Sequence, residues 1–272
     1  MTNFQKGISG LEGRVCVVTG AAGGIGRGIA LALAAEGAKV AVLDLNEKGA
    51  QETAALIKEA AGVGLPLGCD VTDTKSVESA EQEVTRQLGE IQILVNNAGT
   101  IRPGALDSMP IEEWNAIVAL NLTSYLVCSR TFGRAMRKNG DGALVHISSI
   151  SSDFVTPFCG AYSATKAGVT MLAKQLAVEW GPMGIRSNAV LPGFIYTPMV
   201  KTMYDTPGVS EKRAAAVPLR RIGTPGDIAQ TVVFLASPRA AYVNGAELLV
   251  DGGLTNNVMS LIPRTGYERQ DG

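Results

Sequence analysis

The sequence predicts an α/β fold, a doubly wound parallel sheet of about seven strands with helices on both faces. Three observations predict it. Short, almost wholly apolar runs rich in Val, Ile and Leu alternate with longer amphipathic stretches along the chain, the pattern of buried parallel strands separated by helices. A glycine-rich turn follows the first such run and opens a helix. No linker or composition break divides the 272 residues, so one domain spanning 1–272 is expected, an ordinary size for a single α/β domain.

Taken in order, residues 14–19 (RVCVVT) read as a strand and 25–36 as a helix. Residues 39–44 (KVAVLD) are the next strand, followed by a helix at 47–61. A short third strand at 65–69 precedes a helix at 74–88, and a fourth strand (92–95) precedes one long helix at 111–138. Residues 143–148 (ALVHIS) make the fifth strand, 161–180 a helix and 185–191 the sixth strand. Thr224-Pro225-Gly226-Asp227 is a helix start, with Thr at the cap, Pro at the first helical position and an acid three residues on. That helix runs to 236, and 247–250 is the seventh strand. The longest irregular stretch is 192–218, and a segment that long inside a domain is usually functional. A C-terminal tail spans 254–272, its end polar and aperiodic from 264 onward.

The bulk numbers exclude several classes. A net charge of -1, with both signs mixed along the chain, gives no electrostatic footprint for nucleic acid. No run reaches the roughly 20 apolar residues of a membrane span, and residues 1–13 lack the basic flank and apolar run of a secretory signal. Cys16, Cys69, Cys128 and Cys159 form no C-x-x-C pair, so reduced thiols and a cytoplasmic location are expected, with no metal site. The one histidine, His146, lies on a strand without a G-x-S-x-G elbow, so it is read as packing rather than as a hydrolase base.

The turn Thr19-Gly20-Ala21-Ala22-Gly23-Gly24-Ile25-Gly26 joins strand to helix. Glycine there lets backbone approach a pyrophosphate, and the helix N-terminus offers free N–H groups and a positive dipole. This makes the sheet Rossmann-type. Asp44 ends the second strand 20 residues after Gly24, where a carboxylate takes hydrogen bonds from ribose hydroxyls. Asp70 with Val71 follows the third strand, where it can meet an adenine edge, and Asn96-Asn97-Ala98-Gly99 follows the fourth, at the carboxyl edge where open sheets bind ligands. A carboxylate at Asp44 repels the 2′-phosphate of NADP, and neither Gly23 nor Leu45 is basic, so NAD is expected over NADP. Arg27, on the helix, argues the other way.

Tyr162 and Lys166 are four apart on a helix and so share a face. An ammonium beside a phenol favours phenolate. Bringing a phenol from about 10 to neutrality takes about 4 kcal/mol, which a lysine and a nicotinamide cation together can supply. Tyr162 then serves as general acid and base. Ser149, at the end of the fifth strand and 13 residues before Tyr162, either holds a substrate oxygen or caps the strand. Asn121 sits in an apolar helical run and needs a buried partner; a structural and a proton-relay role are equally open.

Together these motifs resemble the short-chain dehydrogenase/reductase family from about residue 11 to 253: T-G-x-x-x-G-x-G at Thr19–Gly26, N-N-A-G at Asn96–Gly99, Asn121, Ser149, Y-x-x-x-K at Tyr162–Lys166, and Pro192-Gly193. The resemblance implies a catalytic tetrad of Asn121, Ser149, Tyr162 and Lys166. It also implies that Lys166 binds the nicotinamide ribose and that Asn121 holds a water linking Lys166 to solvent. Thr197, with Ile195 beside it, would hold the nicotinamide carboxamide. Cofactor contacts are thus expected at Gly20, Gly24, Ile25, Gly26, Asp44, Asp70, Val71, Asn97, Ala98, Gly99, Tyr162, Lys166, Ile195 and Thr197. The resemblance further implies a homotetramer, with the helices at 111–138 and 161–180 at one interface.

Substrate specificity is expected in a loop at 194–218 and in 151–159, through Phe154, Phe158, Phe194, Tyr196, Met199, Met203 and Tyr204. Asp44 favours an NAD(H)-dependent dehydrogenase of a secondary alcohol, polyol or sugar. The alternative is an NADPH-dependent reductase of a 3-oxoacyl thioester or ketone. A non-catalytic nucleotide-binding protein would have no need of Ser149 together with Tyr162.

Overall fold

A computed structural model, which describes residues 9–262 and Gly266, places the strands at β1 (Val15–Thr19), β2 (Lys39–Asp44), β3 (Val63–Gly68), β4 (Ile91–Asn96), β5 (Gly142–Ile147), β6 (Ile185–Pro192) and β7 (Glu247–Val250). They form one sheet in the order β3-β2-β1-β4-β5-β6-β7, every pair parallel. Side-chain alternation along each strand divides the core in two. Cys16 and Val18 pack into one layer with helices α1 (Gly24–Ala35), α2 (Glu47–Glu59) and α9 (Pro225–Ala236). Val15 and Val17 pack into the other, with α3 (Thr74–Leu88), α5 (Ser124–Asn139) and α6 (Tyr162–Trp180). The fold is therefore the expected Rossmann-type sheet covered on both faces.

Local chemistry starts the helices where the sequence placed them. Asn46 caps α2 by accepting the Gly49 N–H at 3.1 Å, and Asp73 caps α3 by accepting the Lys75 N–H at 3.0 Å, each satisfying a donor left open at a helix start. At α9 the Asp227 carboxylate reaches back to the Thr224 N–H at 2.7 Å and its hydroxyl at 2.8 Å.

Two expectations need correction. The single long helix at 111–138 is two helices, α4 (Ile111–Val118) and α5, joined by a π-helical turn at Ala119–Thr123. The wider turn goes with the inward position of Asn121, which is fully buried and bonded outside its own helix. Such π turns concentrate at functional sites. The stretch at 192–218 is not irregular throughout: it holds α7 (Lys201–Tyr204) and α8 (Val209–Ala216). Leu254–Leu261 is a 3₁₀ stretch; the polar tail from 264 lies outside the described residues apart from Gly266. Among the described residues no helix is long and apolar enough to cross a membrane, and all four cysteines are buried and free.

The strand order reverses direction between β1 and β4. At such a switch point the loops leaving the two strands part in opposite directions and open a crevice at the carboxyl edge of the sheet.

Candidate active site

The crevice is a cavity of about 520 Å³ at that edge. All fourteen expected cofactor residues line it, from Gly20 on the glycine turn to Thr197 beyond β6, and so does Ser149. Asn121 alone of the expected site residues does not.

Packing explains the glycines. Gly20 has φ +64°, and a Cβ there would stand 2.8 Å from the Ala98 Cα. A Cβ on Gly26 would stand 2.2 Å from the Gly20 carbonyl oxygen. The turn therefore closes on itself and on the loop after β4, with no room for a methyl. Asn97 locks the same contact by donating to the carbonyls of Thr19 and Gly20, both at 2.9 Å, while the Thr19 hydroxyl accepts the N–H groups of Asn97 (3.0 Å) and Ala98 (3.1 Å). Gly23 is different. It is the N-cap of α1, no side chain caps that helix, and a Cβ there would meet nothing within 4 Å. An uncapped helix N-terminus facing open space in a cavity fits a phosphate group.

Asp44 is anchored by two backbone donors: Ala22 N–H to Oδ2 and Asn46 N–H to Oδ1, each at 2.9 Å. Arg27, the residue that argued for NADP, is committed elsewhere. Its Nε donates to the Thr53 hydroxyl at 2.9 Å, and its Nη2 donates to the Ala22 carbonyl and pairs with Glu52 at 3.2 Å. Asp70 accepts the N–H (2.9 Å) and hydroxyl (2.6 Å) of Thr72 through one oxygen, a local turn that aims the segment into α3.

At the other end, Tyr162 opens α6 and Lys166 follows one turn later. The Ser149 hydroxyl accepts the Ser151 N–H at 3.1 Å and lines the same cavity as the Tyr162 phenol. Lys166 is almost fully buried. Its Nζ donates to the Ile147 carbonyl at 2.9 Å and stands 5.7 Å from the Tyr162 ring centroid. Burial pushes this lysine down to about 8. Burial also pushes the Tyr162 phenol up, with Ser149 pulling the other way and the nearby Cys159 thiol adding to the rise. The expected depression of the phenol by Lys166 is thus not present in the protein alone: desolvation penalises the phenolate, and the ammonium is turned to a carbonyl. As it stands the phenol is held protonated, poised to donate.

Asn121 is satisfied by backbone. Its Oδ1 accepts the Thr100 N–H at 2.9 Å and its Nδ2 donates to the Thr100 carbonyl at 2.8 Å. A Cβ on Gly99 would stand 3.1 Å from that Oδ1, so the asparagine fixes the loop after β4 against the π turn. His146 is packing, as read: fully buried, pushed down to about 3 by burial, and held between Asn96 and Ser187 at 3.2 Å each.

Of the aromatic and methionine set expected to shape specificity, only Met199 and Tyr204 line the cavity. Phe154 and Phe158 are exposed. Phe194 faces the Arg213 guanidinium at 4.5 Å and lines a second cavity beside β7. Tyr196 donates to Asp205 at 2.6 Å, and Met203 lies beside Arg213. The helices α7 and α8, unforeseen in the sequence, give Tyr196 and Phe194 partners in Asp205 and Arg213 instead. Conversely the cavity wall includes Pro198 and Val200, and the site depends on the Ile147 carbonyl, the Thr100 backbone and the Tyr125 hydroxyl. Main-chain acceptors leave no trace in side-chain identity, so no motif could have found the first two.

An uncapped helix at a glycine turn, an acid at the end of β2 and a Ser–Tyr–Lys cluster in one crevice define a dinucleotide-binding oxidoreductase of the α/β class. The chain belongs to the short-chain dehydrogenase/reductase family, enzymes of the CH–OH/C=O couple that use NAD(P). The family model described as enoyl-(acyl carrier protein) reductase matches residues 20–255. The chain is 39% identical over 246 residues to D-threitol dehydrogenase of Mycolicibacterium smegmatis, covering 90% of this chain and 94% of that one. It is 42% identical over 246 residues to the 3-oxoacyl-[acyl-carrier-protein] reductase FabG of Escherichia coli, covering 89% and 98%. It also resembles the crystal structure of a putative NAD(P)-dependent gluconate 5-dehydrogenase from Beutenbergia cavernae with bound NADP at low occupancy (TM-score 0.85, 34% identity, 90% and 98% coverage).

Proposed function

We propose that this enzyme is an NAD(H)-dependent dehydrogenase that interconverts a secondary alcohol, polyol or sugar hydroxyl and its carbonyl, with Tyr162 as general acid and base. One observation carries the reading: Ser149, Tyr162 and Lys166 line the same cavity as Asp44. Asp44 ends β2 and Ser149 follows β5, three strand spacings away, or about 14 Å, a span suited to an extended dinucleotide. The similarity to D-threitol dehydrogenase and to a putative gluconate 5-dehydrogenase supports a polyol-like substrate.

In this reading the glycine turn and the α1 N-terminus hold the pyrophosphate, and Asp44 takes the adenosine ribose hydroxyls. Asp70 and Val71 meet the adenine; Asn97–Gly99, Ile195 and Thr197 hold the nicotinamide half, and Lys166 its ribose. The bound nicotinamide supplies hydride exchange and, when oxidised, a positive charge beside Tyr162. Ser149 holds the substrate oxygen within reach of the phenol. Tyr162 Oη gives up its proton to that oxygen in reduction and takes it back in oxidation. Oxidation needs a phenolate, and the Lys166 ammonium offsets the burial that otherwise keeps Tyr162 protonated. Asn121, through Thr100, sets the loop that carries Gly99 and so positions Lys166 and its path to solvent. Residues 1–272 act as one unit, with 194–218 as the substrate loop and a homotetramer as the assembly.

A second reading, an NADPH-dependent reductase of 3-oxoacyl thioesters or ketones, is supported by the 42% identity to FabG. Titration of the purified protein with NADH and NADPH, followed by nicotinamide fluorescence, separates the two. Tighter NADH binding, with turnover of polyols and secondary alcohols by NAD⁺, is the expected outcome. Tighter NADPH binding with reduction of 3-oxoacyl thioesters replaces it by the second reading, and binding of neither overturns both.

A further inference from the structure

A buried phenol outside the proposed chemistry lies against the lysine at its centre. Tyr125 on α5 is 1% exposed, and its hydroxyl donates to the Ile147 carbonyl at 3.0 Å. Lys166 Nζ donates to the same carbonyl at 2.9 Å and lies 3.4 Å from the Tyr125 oxygen. A carbonyl oxygen has two lone pairs, so both donors are accommodated. The phenolic proton is committed to Ile147, which leaves the Tyr125 oxygen to face the ammonium as an acceptor. Nζ also stands 5.4 Å from the Tyr125 ring centroid, within the range of cation–π attraction.

The phenol has little freedom to leave this position. The His146 ring stacks on it, with centroids 6.1 Å apart and planes 25° from parallel. Asn96 Nδ2 bridges His146, the Ser129 hydroxyl (3.0 Å) and the Tyr125 carbonyl. Elements β4, β5 and α5 thus aim one hydroxyl at Lys166 from behind the cavity wall. The titratable groups around the lysine are Tyr125 from α5 and Tyr162 from its own helix. Behind these stand Cys128, His146 and Cys159. Among the described residues no carboxylate pairs with Lys166, so neutral acceptors are what its charge meets.

We infer that Tyr125 is a positioning residue for Lys166: its hydroxyl, pinned by Ile147, holds the ammonium in place and stabilises its charged form. The catalytic meaning of this contact rests on the role proposed for Lys166; the contact itself does not. The test is a nuclear magnetic resonance titration of ¹³Cε-lysine-labelled protein without cofactor, comparing wild type with Tyr125→Phe. The Lys166 signal is identified as the one lost in Lys166→Met. Its expected wild-type midpoint is near 8, and in Tyr125→Phe it is expected to fall by about half a pH unit or more, the scale of one weak charge-assisted hydrogen bond. Alongside it, the NADH dissociation constant at pH 8 rises at least about twofold, in step with the lost charge. An unchanged midpoint overturns the inference, including in a variant that melts at lower temperature, because Tyr125 would then only fill space. Should Tyr125→Phe fail to fold, Tyr125→Met repeats the comparison. Full turnover in Lys166→Met would overturn the proposed catalytic role of the lysine, and the two midpoints would still decide the role of Tyr125.

Discussion

The Asp44 carboxylate accepts the Ala22 N–H at 2.9 Å, which ties the end of β2 to the glycine turn and leaves the acid on the wall of the cavity. One side chain thus shapes the turn and puts a carboxylate on the wall of the crevice. Asp44→Ala removes the charge, and the proposed preference for NAD over NADP, measured as the ratio of kcat/KM values, is expected to fall at least about tenfold, or 1.4 kcal/mol. An unchanged ratio would move the selection of cofactor away from Asp44.

Tyr162→Phe removes the proposed proton carrier and leaves the ring in place. Turnover is expected to fall by about 10² to 10⁴, the usual contribution of general acid–base catalysis, with NADH binding by fluorescence within about twofold of wild type. Retained turnover would assign proton transfer to another group.

Lys166 is a charge buried at a cost to the fold. Its folded value of about 8 lies below the 10.5 of the free group, so between those pH values the unfolded chain binds more protons and stability rises with pH. The destabilisation is fully present below pH 8 and is relieved as pH rises towards 10.5, about 3 kcal/mol in all at ~1.36 kcal/mol per pH unit. Lys166→Met is therefore expected to melt above wild type at pH 7, and the gap in Tm is expected to close by about pH 10. A gap independent of pH would mean that packing, not charge, sets it.

His146 is the one histidine in the chain, which makes its titration easy to isolate. Its folded value of about 3 lies below the 6.5 of the free group, so the unfolded chain takes up a proton first and stability falls as pH drops from 6.5 towards 3. His146→Gln is expected to flatten the fall of Tm between pH 6.5 and pH 4 relative to wild type. Parallel curves would show that carboxylates alone drive acid unfolding.

Gly23 and Gly26 separate binding from folding. A Cβ on Gly26 runs into the Gly20 carbonyl at 2.2 Å, so Gly26→Ala is expected to lower stability by about 2 kcal/mol or more, read as a drop in urea midpoint. A Cβ on Gly23 meets nothing within 4 Å, and its φ of -168° suits any residue. Gly23→Ala is expected to keep the wild-type midpoint and to weaken NADH binding at least about tenfold by filling the phosphate space. Equal affinity would place the phosphate elsewhere.

The sequence by itself determined the seven strands and the main helices between them, but not α7, α8 or the π turn, because its signals are local. Val, Ile and Leu in short runs need burial on both faces, Thr224-Pro225 marks a helix start, and the glycines of the turn at 20–26 admit a tight approach of backbone. It also determined which residues meet at the crevice: strands that run parallel all end at one edge, so Asp44, Asn97 and Ser149 had to arrive there together. Only the tertiary structure decided what depends on distance and solvent. It committed Arg27 to Thr53 and Glu52, turned Asn121 to the backbone of Thr100 through a π turn, and faced Phe194 away from the cavity. It also set Lys166 against Ile147 and Tyr125. A side chain's partner and its charge state follow from what is packed within a few ångströms of it, and the chain brings those neighbours from positions far apart in sequence.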